Sequence, residues 1–373
     1  MSKVNPLYCK FSHSICRQAD RIHEVARTDL FKYKMDQKSK EISELRQDPV
    51  SRDWIIISTA RAKRPEAYKN KNREAQITPI DLCPFEDPQK HGNGEPLLIY
   101  KKNGSRDWFV QIIKNKFPII EGDKCGLENK VGPYTVQNPA AGRNEVVVTR
   151  DHNRSLAQMN TDEVTMVIKA YKERYESLKK EECARYILII HNHGREAGAS
   201  VSHPHSQILA LPFVPSDIKR SLDGSQKYHQ DSGRCVHCDI LEWELKEKSR
   251  IIFENDLMVA LAPFAPKFSY EIRIFPKKHS SYFEEIESAE IHDLAEALRV
   301  SLAKIYQGLG NPAYNFFIHT PPASHNKEYD YYHWHLEINP RLGVWGGFEL
   351  GTGGDVIDTD PDEAAGYLRN IKI

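Results

Sequence analysis

No purely apolar stretch of this 373-residue chain exceeds about six residues; Tyr186–Ile190 and Leu257–Ala262 are the longest. A membrane-spanning helix needs about 20. The first residues form no apolar signal core, so a soluble, cytoplasmic protein is expected. Charge of one sign is also missing: Lys plus Arg and Asp plus Glu number 52 each. Without a basic stripe, or a polybasic run beside an apolar segment, neither nucleic acid nor a membrane surface is an expected partner. Cysteine is scarce and odd in number, at seven. That argues against a disulfide framework and leaves metal ligation as the better use of the thiols. Cys125 and Cys183 have no partner motif and read as incidental thiols.

What the chain does have is a dense histidine pattern. His203-Pro204-His205-Ser206-Gln207 follows the apolar run Tyr186–Ile190 and a loop containing Asn192, Gly194, Gly198 and Ser200, and it continues into Ile208–Leu211. On a strand, His203, His205 and Gln207 share one face. Imidazole is neutral and nucleophilic near pH 7, and a small-residue loop admits phosphate close to the backbone, so the pattern suits a phosphate site with a nitrogen nucleophile.

The pattern occurs twice. A strand ending in His152 is followed by a helix over Thr161–Leu178, with Thr161 as expected N-cap, then by a strand to His191 and by His203-Pro204-His205. A strand ending in His279 is followed by a helix over about 285–307, a strand to His319, and His333-Trp334-His335. His152 precedes His203 by 51 residues and His279 precedes His333 by 54, which points to an internal duplication. Further strands are expected at Arg52–Ile57 and Trp108–Ile113. Turn signals at Ser221–Ser225 and Ser232-Gly233 mark a boundary after about residue 215. The expected division is an N-terminal extension over 1–41, a first unit over 42–215 and a second over 216–373.

Cys235 and Cys238, with His279 and His333, make a set of two thiolates and two imidazoles, the closed shell of structural zinc. The first unit offers Cys83, Glu86, His152 and His203, with a carboxylate in place of the second thiolate. Either zinc accepts the Glu86 oxygen there, or Glu86 bonds locally and the metal has been lost. In the second unit Glu337 stands where the first has Gln207; a carboxylate would repel phosphate, so His335 is expected to be structural.

Together these residues resemble the galactose-1-phosphate uridylyltransferase branch of the histidine-triad superfamily, over about residues 44–371. The resemblance rests on Arg61–Pro65, Cys83-Pro84-Phe85, Asn115–Pro118, Asn192–Gln207 and Gly346–Gly353. It implies an α+β fold of two tandem histidine-triad-like units, antiparallel sheets backed by helices. It implies a ping-pong transfer of a nucleoside monophosphate from a nucleotide-sugar to a sugar 1-phosphate. His205 matches the family's nucleophile and Gln207 its phosphate donor. Asn115, Asn192, Gly198 and Ser200 match nucleotide and phosphate contacts, and Phe348 and Glu349 match sugar contacts. Arg61 and Arg64 match a basic pair that reaches a phosphate across a homodimer interface.

Ser206, Ala199 and the flank Ile208–Pro212 are also similar to a sister group, the plant-type ADP-glucose phosphorylases. The donor therefore stays open between uridylyl, the first reading, and adenylyl. A non-catalytic nucleotide-binding zinc protein is the reading from a different class.

Overall fold

The computed structural model describes residues 43–59, 65, 68, 78–138, 141–323 and 328–373. Arg61, Arg64 and the extension over 1–41 lie outside them. The strands are β1 (Ser43–Gln47), β2 (Trp54–Ser58), β3 (Leu98–Lys101), β4 (Trp108–Lys114), β5 (Leu127–Val131), β6 (Tyr134–Asn138), β7 (Arg143–Thr149), β8 (Tyr186–His193), β9 (His205–Leu211), β10 (Ile251–Glu254), β11 (Met258–Leu261), β12 (Ile272–Pro276), β13 (Tyr314–His319), β14 (His335–Pro340) and β15 (Asp355–Ile357). The helices are α1 (Thr161–Leu178), α2 (Ser216–Ser232), α3 (Val236–Glu247), α4 (Ser288–Leu309), α5 (Gly347–Thr352) and α6 (Pro361–Asn370).

Ten strands form one antiparallel sheet in the order β10-β11-β12-β14-β13-β8-β9-β7-β4-β3. The expected α+β architecture is therefore present, with strands from 98–211 on one side and from 251–340 on the other. The halves join where β8 pairs with β13, Asn192 opposite Asn315.

Alternation along the strands gives the sheet two different faces. Val147, Ile189, Ile208, Ile274, Phe316, Ile318 and Leu336 belong to the main buried core, which includes the inner sides of α1 and α4. A smaller cluster of Ile113, Val146 and Val148 lies on the other face, with Phe85 packed on it. Since register sends alternate residues to opposite sides, a one-residue slip of β9 would bury His205 and Gln207 under the helices.

Three expectations need correction. The N-cap of α1 is Asn160, not Thr161: its side chain accepts from the Glu163 N–H while Glu163 reaches back to the Asn160 N–H. The turn expected at Ser221–Ser225 is the middle of α2. Gly224 sits there because a Cβ would lie 1.8 Å from the Val50 carbonyl oxygen, so close packing rather than a turn requires the glycine. Cys125 and Cys183 are joined as a disulfide, tying the segment before β5 to the turn after α1.

One pairing had no local signal: β15 adds parallel to β2, itself antiparallel to β1. The strand expected at Arg52–Ile57 is this β2, starting at Trp54.

Candidate active site and metal-ligand clusters

β9 runs between β7 and β8, so hydrogen-bonded neighbours hold it on both sides. Ser206, on the helix side, bonds the buried Tyr171 hydroxyl and His191 Nδ1 at 2.5 and 2.9 Å. His205 and Gln207 therefore face the other way. The His205 ring is 8 % exposed and 4.9 Å from that of Phe85. Its Nδ1 lies 2.8 Å from the His203 carbonyl oxygen, which can only accept, so Nδ1 carries the proton and Nε2 keeps a lone pair. Burial lowers the His205 pKa, outweighing that hydrogen bond, and keeps the ring neutral. Gln207 Oε1 accepts from Asn144 Nδ2 at 3.2 Å.

Gly194 and Gly198 bracket a single 3-10 turn, Arg195–Ala197, and both have positive φ, 81° and 87°. Gly194 also passes so close to β13 that a Cβ would meet that of Ala313 at 2.8 Å. Gly198 and Ser200 are exposed on this loop. Asn192 Oδ1 accepts from Asn315 Nδ2 at 2.8 Å, and the same nitrogen holds the Ala197 carbonyl. Asn115 bonds Asn144 Oδ1 at 2.9 Å. Asn192 and Glu349 both line a cavity of about 760 Å³ that runs over β8, β13 and β14. Glu349 also caps α5 by accepting from the Gly346 N–H, and Phe348 is half-exposed beside it.

Cys235, Cys238, His279 and His333 bring one ligand atom each to within 4.8 Å of one another. Cys238 Sγ is 3.2 Å from His279 Nδ1 and 3.6 Å from His333 Nδ1. His279 commits Nε2 to the Asp330 carbonyl, leaving Nδ1 for the thiols. A hydrogen bond from Cys238 lowers the Cys235 pKa, which favours the thiolate.

Cys83, His152 and His203 form a second such group. His203 Nε2 bonds the Thr149 carbonyl at 2.7 Å, and its Nδ1 faces Cys83 Sγ at 3.5 Å. Glu86 is beside them: its Oε1 is 2.7 Å from His152 Nδ1 and 3.5 Å from His203 Nδ1, while Oε2 pairs with Arg150 at 3.0 Å. Burial works against the Glu86 carboxylate, yet the bonds from Arg150 and His152 hold its pKa below the usual value. His152 gives Nε2–H to the Thr78 carbonyl at 2.8 Å. Its Nδ1 is left facing the Glu86 oxygen, close enough for a shared proton or for one cation to meet both.

The third group, His319, His335 and Glu337, is built differently. His335 repeats the bond of His205, Nδ1 to the His333 carbonyl at 3.2 Å. However, where Gln207 lies opposite Val146, Glu337 lies opposite Arg273, whose guanidinium is 3.0 Å away. Its charge is already paired. Burial lowers the His335 pKa to about 4.

Sequence reasoning overlooked Asn144, Arg150 and Asn315. A polar Asn144 entering the apolar run Val146–Val148 was the available clue; the other two depend on non-local pairing.

Residues 33–215 match the family model for the N-terminal domain of galactose-1-phosphate uridyl transferase, and residues 221–342 match that for its C-terminal domain. The chain is 33 % identical to the ADP-glucose phosphorylase of Arabidopsis thaliana, over 91 % of this chain and 95 % of that one. It is 29 % identical to the galactose-1-phosphate uridylyltransferase of Thermotoga maritima, over 88 % and 99 %. The crystal structure of an Arabidopsis thaliana ADP-glucose phosphorylase with bound ADP-glucose superposes with a TM-score of 0.74, at 32 % identity over 89 % of this chain and all of that one. With both of the family's domain models matched in order along one sheet, the chain belongs to the galactose-1-phosphate uridyl transferase family.

Proposed function

We propose that this chain moves a nucleoside monophosphate from a nucleotide-sugar to a phosphate acceptor through a covalent intermediate on His205. The observation that carries the reading is the His205 ring, its Nδ1 proton committed to the His203 carbonyl and Gln207 next along the same face. Nε2 attacks the α-phosphorus, a P–N bond forms, and the bond to the bridging oxygen breaks. The sugar 1-phosphate leaves with that electron pair. In the second half, an acceptor phosphate oxygen attacks the same phosphorus, the P–N bond breaks, and the imidazole returns neutral. Splitting the transfer lets one site serve both halves. Gln207 donates to a non-bridging oxygen as charge builds on it. Asn115, Asn192, Gly198 and Ser200 contact nucleotide and phosphate, and Phe348 and Glu349 the sugar.

Two donors fit the reading. UDP-glucose with galactose 1-phosphate as acceptor is the reaction of the uridylyltransferase relatives. ADP-glucose with orthophosphate is the other, and the higher identity to the Arabidopsis protein favours it. Each donor is incubated with each acceptor and the products are resolved. Exchange from UDP-glucose to galactose 1-phosphate supports the first; ADP release from ADP-glucose by orthophosphate supports the second. Neither product under any pairing overturns the reading.

Cys235, Cys238, His279 and His333 would hold zinc, and Cys83, Glu86, His152 and His203 a second ion; the donor types and the Nδ1 orientation fit. Bound there, the metal would stiffen the ends of β9 and β14. The reading includes the two units over 42–215 and 216–373, and a homodimer in which Arg61 and Arg64 reach the partner's phosphate. The exposed apolar side chains of Val344, Trp345 and Leu350 support such a contact. No described helix is long and apolar enough to cross a membrane. A cytoplasmic location suits Cys83, Cys235 and Cys238, free thiols among the described residues, while the Cys125–Cys183 bridge pulls the other way.

A further inference from the structure

A glutamine amide has an oxygen and a nitrogen of nearly equal size, and only the nitrogen can help a phosphoryl group. Something must set which end faces the substrate. The main-chain N–H of Phe117 donates to Asn115 Oδ1 at 3.0 Å, so Asn115 turns its Nδ2 away from that N–H. That Nδ2 donates to Asn144 Oδ1 at 2.9 Å, and the main-chain N–H of Ile119 reaches the same oxygen at 3.3 Å. A main-chain N–H can only donate, so the direction of both amides is dictated by the chain itself. With its oxygen committed twice, Asn144 presents Nδ2 to Gln207 Oε1 at 3.2 Å. Gln207 then keeps Nε2 as the end left to serve a ligand.

Asn144 is well placed for this. It is 5 % exposed, and on β7 it stands opposite Leu209, diagonal to Gln207 and on the same face. In the second half of the sheet Glu337 is instead set by a charge pair with Arg273.

We propose that Asn144 is a positioning residue: through a series of three amides anchored on the Phe117 and Ile119 N–H groups, it holds Gln207 with its nitrogen toward the transferring phosphoryl group. This rests on the reading above, in which Gln207 meets a phosphoryl oxygen. The Phe117 and Ile119 N–H groups just after β4 thereby control the orientation of a group on β9.

The test is a rapid-quench measurement of protein-bound label, using UDP-glucose or ADP-glucose labelled in the α-phosphate, on wild type, Asn144→Leu, Gln207→Ala and the double variant. Asn144→Leu is expected to slow labelling about tenfold, one neutral hydrogen bond's worth, with the donor KM little changed. The double variant is expected to be no slower in labelling than Gln207→Ala, because the effect of Asn144 on the transferring phosphoryl group passes through Gln207. Wild-type labelling by Asn144→Leu, or a double variant whose losses multiply, overturns the proposal while leaving the nucleophile intact. If Asn144→Leu does not fold, Asn144→Ala replaces it with the same two expectations. A wild-type chain that takes label from neither donor removes the functional reading and this proposal together.

Discussion

The Nδ1 of His205 and the carbonyl oxygen of His203 are 2.8 Å apart, two residues along one chain. Short strand geometry thus fixes the tautomer of one histidine with the backbone of another. His203 meanwhile turns its own ring toward Cys83, with Nε2 on the Thr149 carbonyl. Adjacent outward positions on one strand end therefore serve two different tasks, and each can be removed alone.

Changing His205 to Ala is expected to abolish nucleotide transfer with bound metal and melting temperature nearly unchanged. Changing His203 to Ala is expected to lower the metal content by one ion per chain and the stability by several kcal/mol, since a metal-ligand bond set is folding energy. Elemental analysis and calorimetry on both variants check this; metal loss from the His205 variant would contradict it.

Glu163 gives the fold an acid limit. It is 3 % exposed, paired with Arg154 at 2.9 Å and Lys102 at 2.5 Å, and it closes the Asn160 cap. Burial works against the carboxylate, but these bonds lower its pKa to about 2. A lowered carboxyl pKa contributes stability above the unfolded value of about 4.5, lost as pH falls toward 2. Glu163→Gln should be less stable than wild type by about 2 kcal/mol at pH 7, discounted for the exposed part of Lys102. Urea unfolding from pH 7 to 3 should show the two curves converging with acid; a constant gap would contradict it.

The Cys125–Cys183 bridge spans 58 residues, including the β5–β6 hairpin, β7 and α1. Closing a loop of that length contributes up to about 4 kcal/mol by restricting the unfolded chain. Dithiothreitol, and Cys125→Ser without reductant, should each lower the melting temperature by several degrees. An unchanged midpoint in both would show that the bridge does not form in solution.

How far the sequence was readable follows the reach of each signal. The helix over Thr161–Leu178 was legible to the residue because its charged first turn and apolar spacing are local. β9 was legible because alternation within His205–Leu211 needs no partner. Gly224 misled because its reason, the Val50 carbonyl, is far away in sequence. The same distance hid the Cys125–Cys183 pairing, the β2–β15 contact and Arg273 opposite Glu337. The Cys–His clusters around His203 and His333 were visible in outline from the repeated His-x-His and the cysteines, but the Glu86–Arg150 pair was not, since nothing near Arg150 signals an acidic partner.

The most direct measurement is peptide mass spectrometry of the chain after brief exposure to UDP-glucose or ADP-glucose without acceptor. A peptide heavier by one nucleoside monophosphate is expected, with the added mass on His205, acid-labile and discharged by the matching phosphate acceptor. Nucleotide transfer that persists at full rate in the His205→Ala variant, or an adduct mapped to another residue, would contradict it.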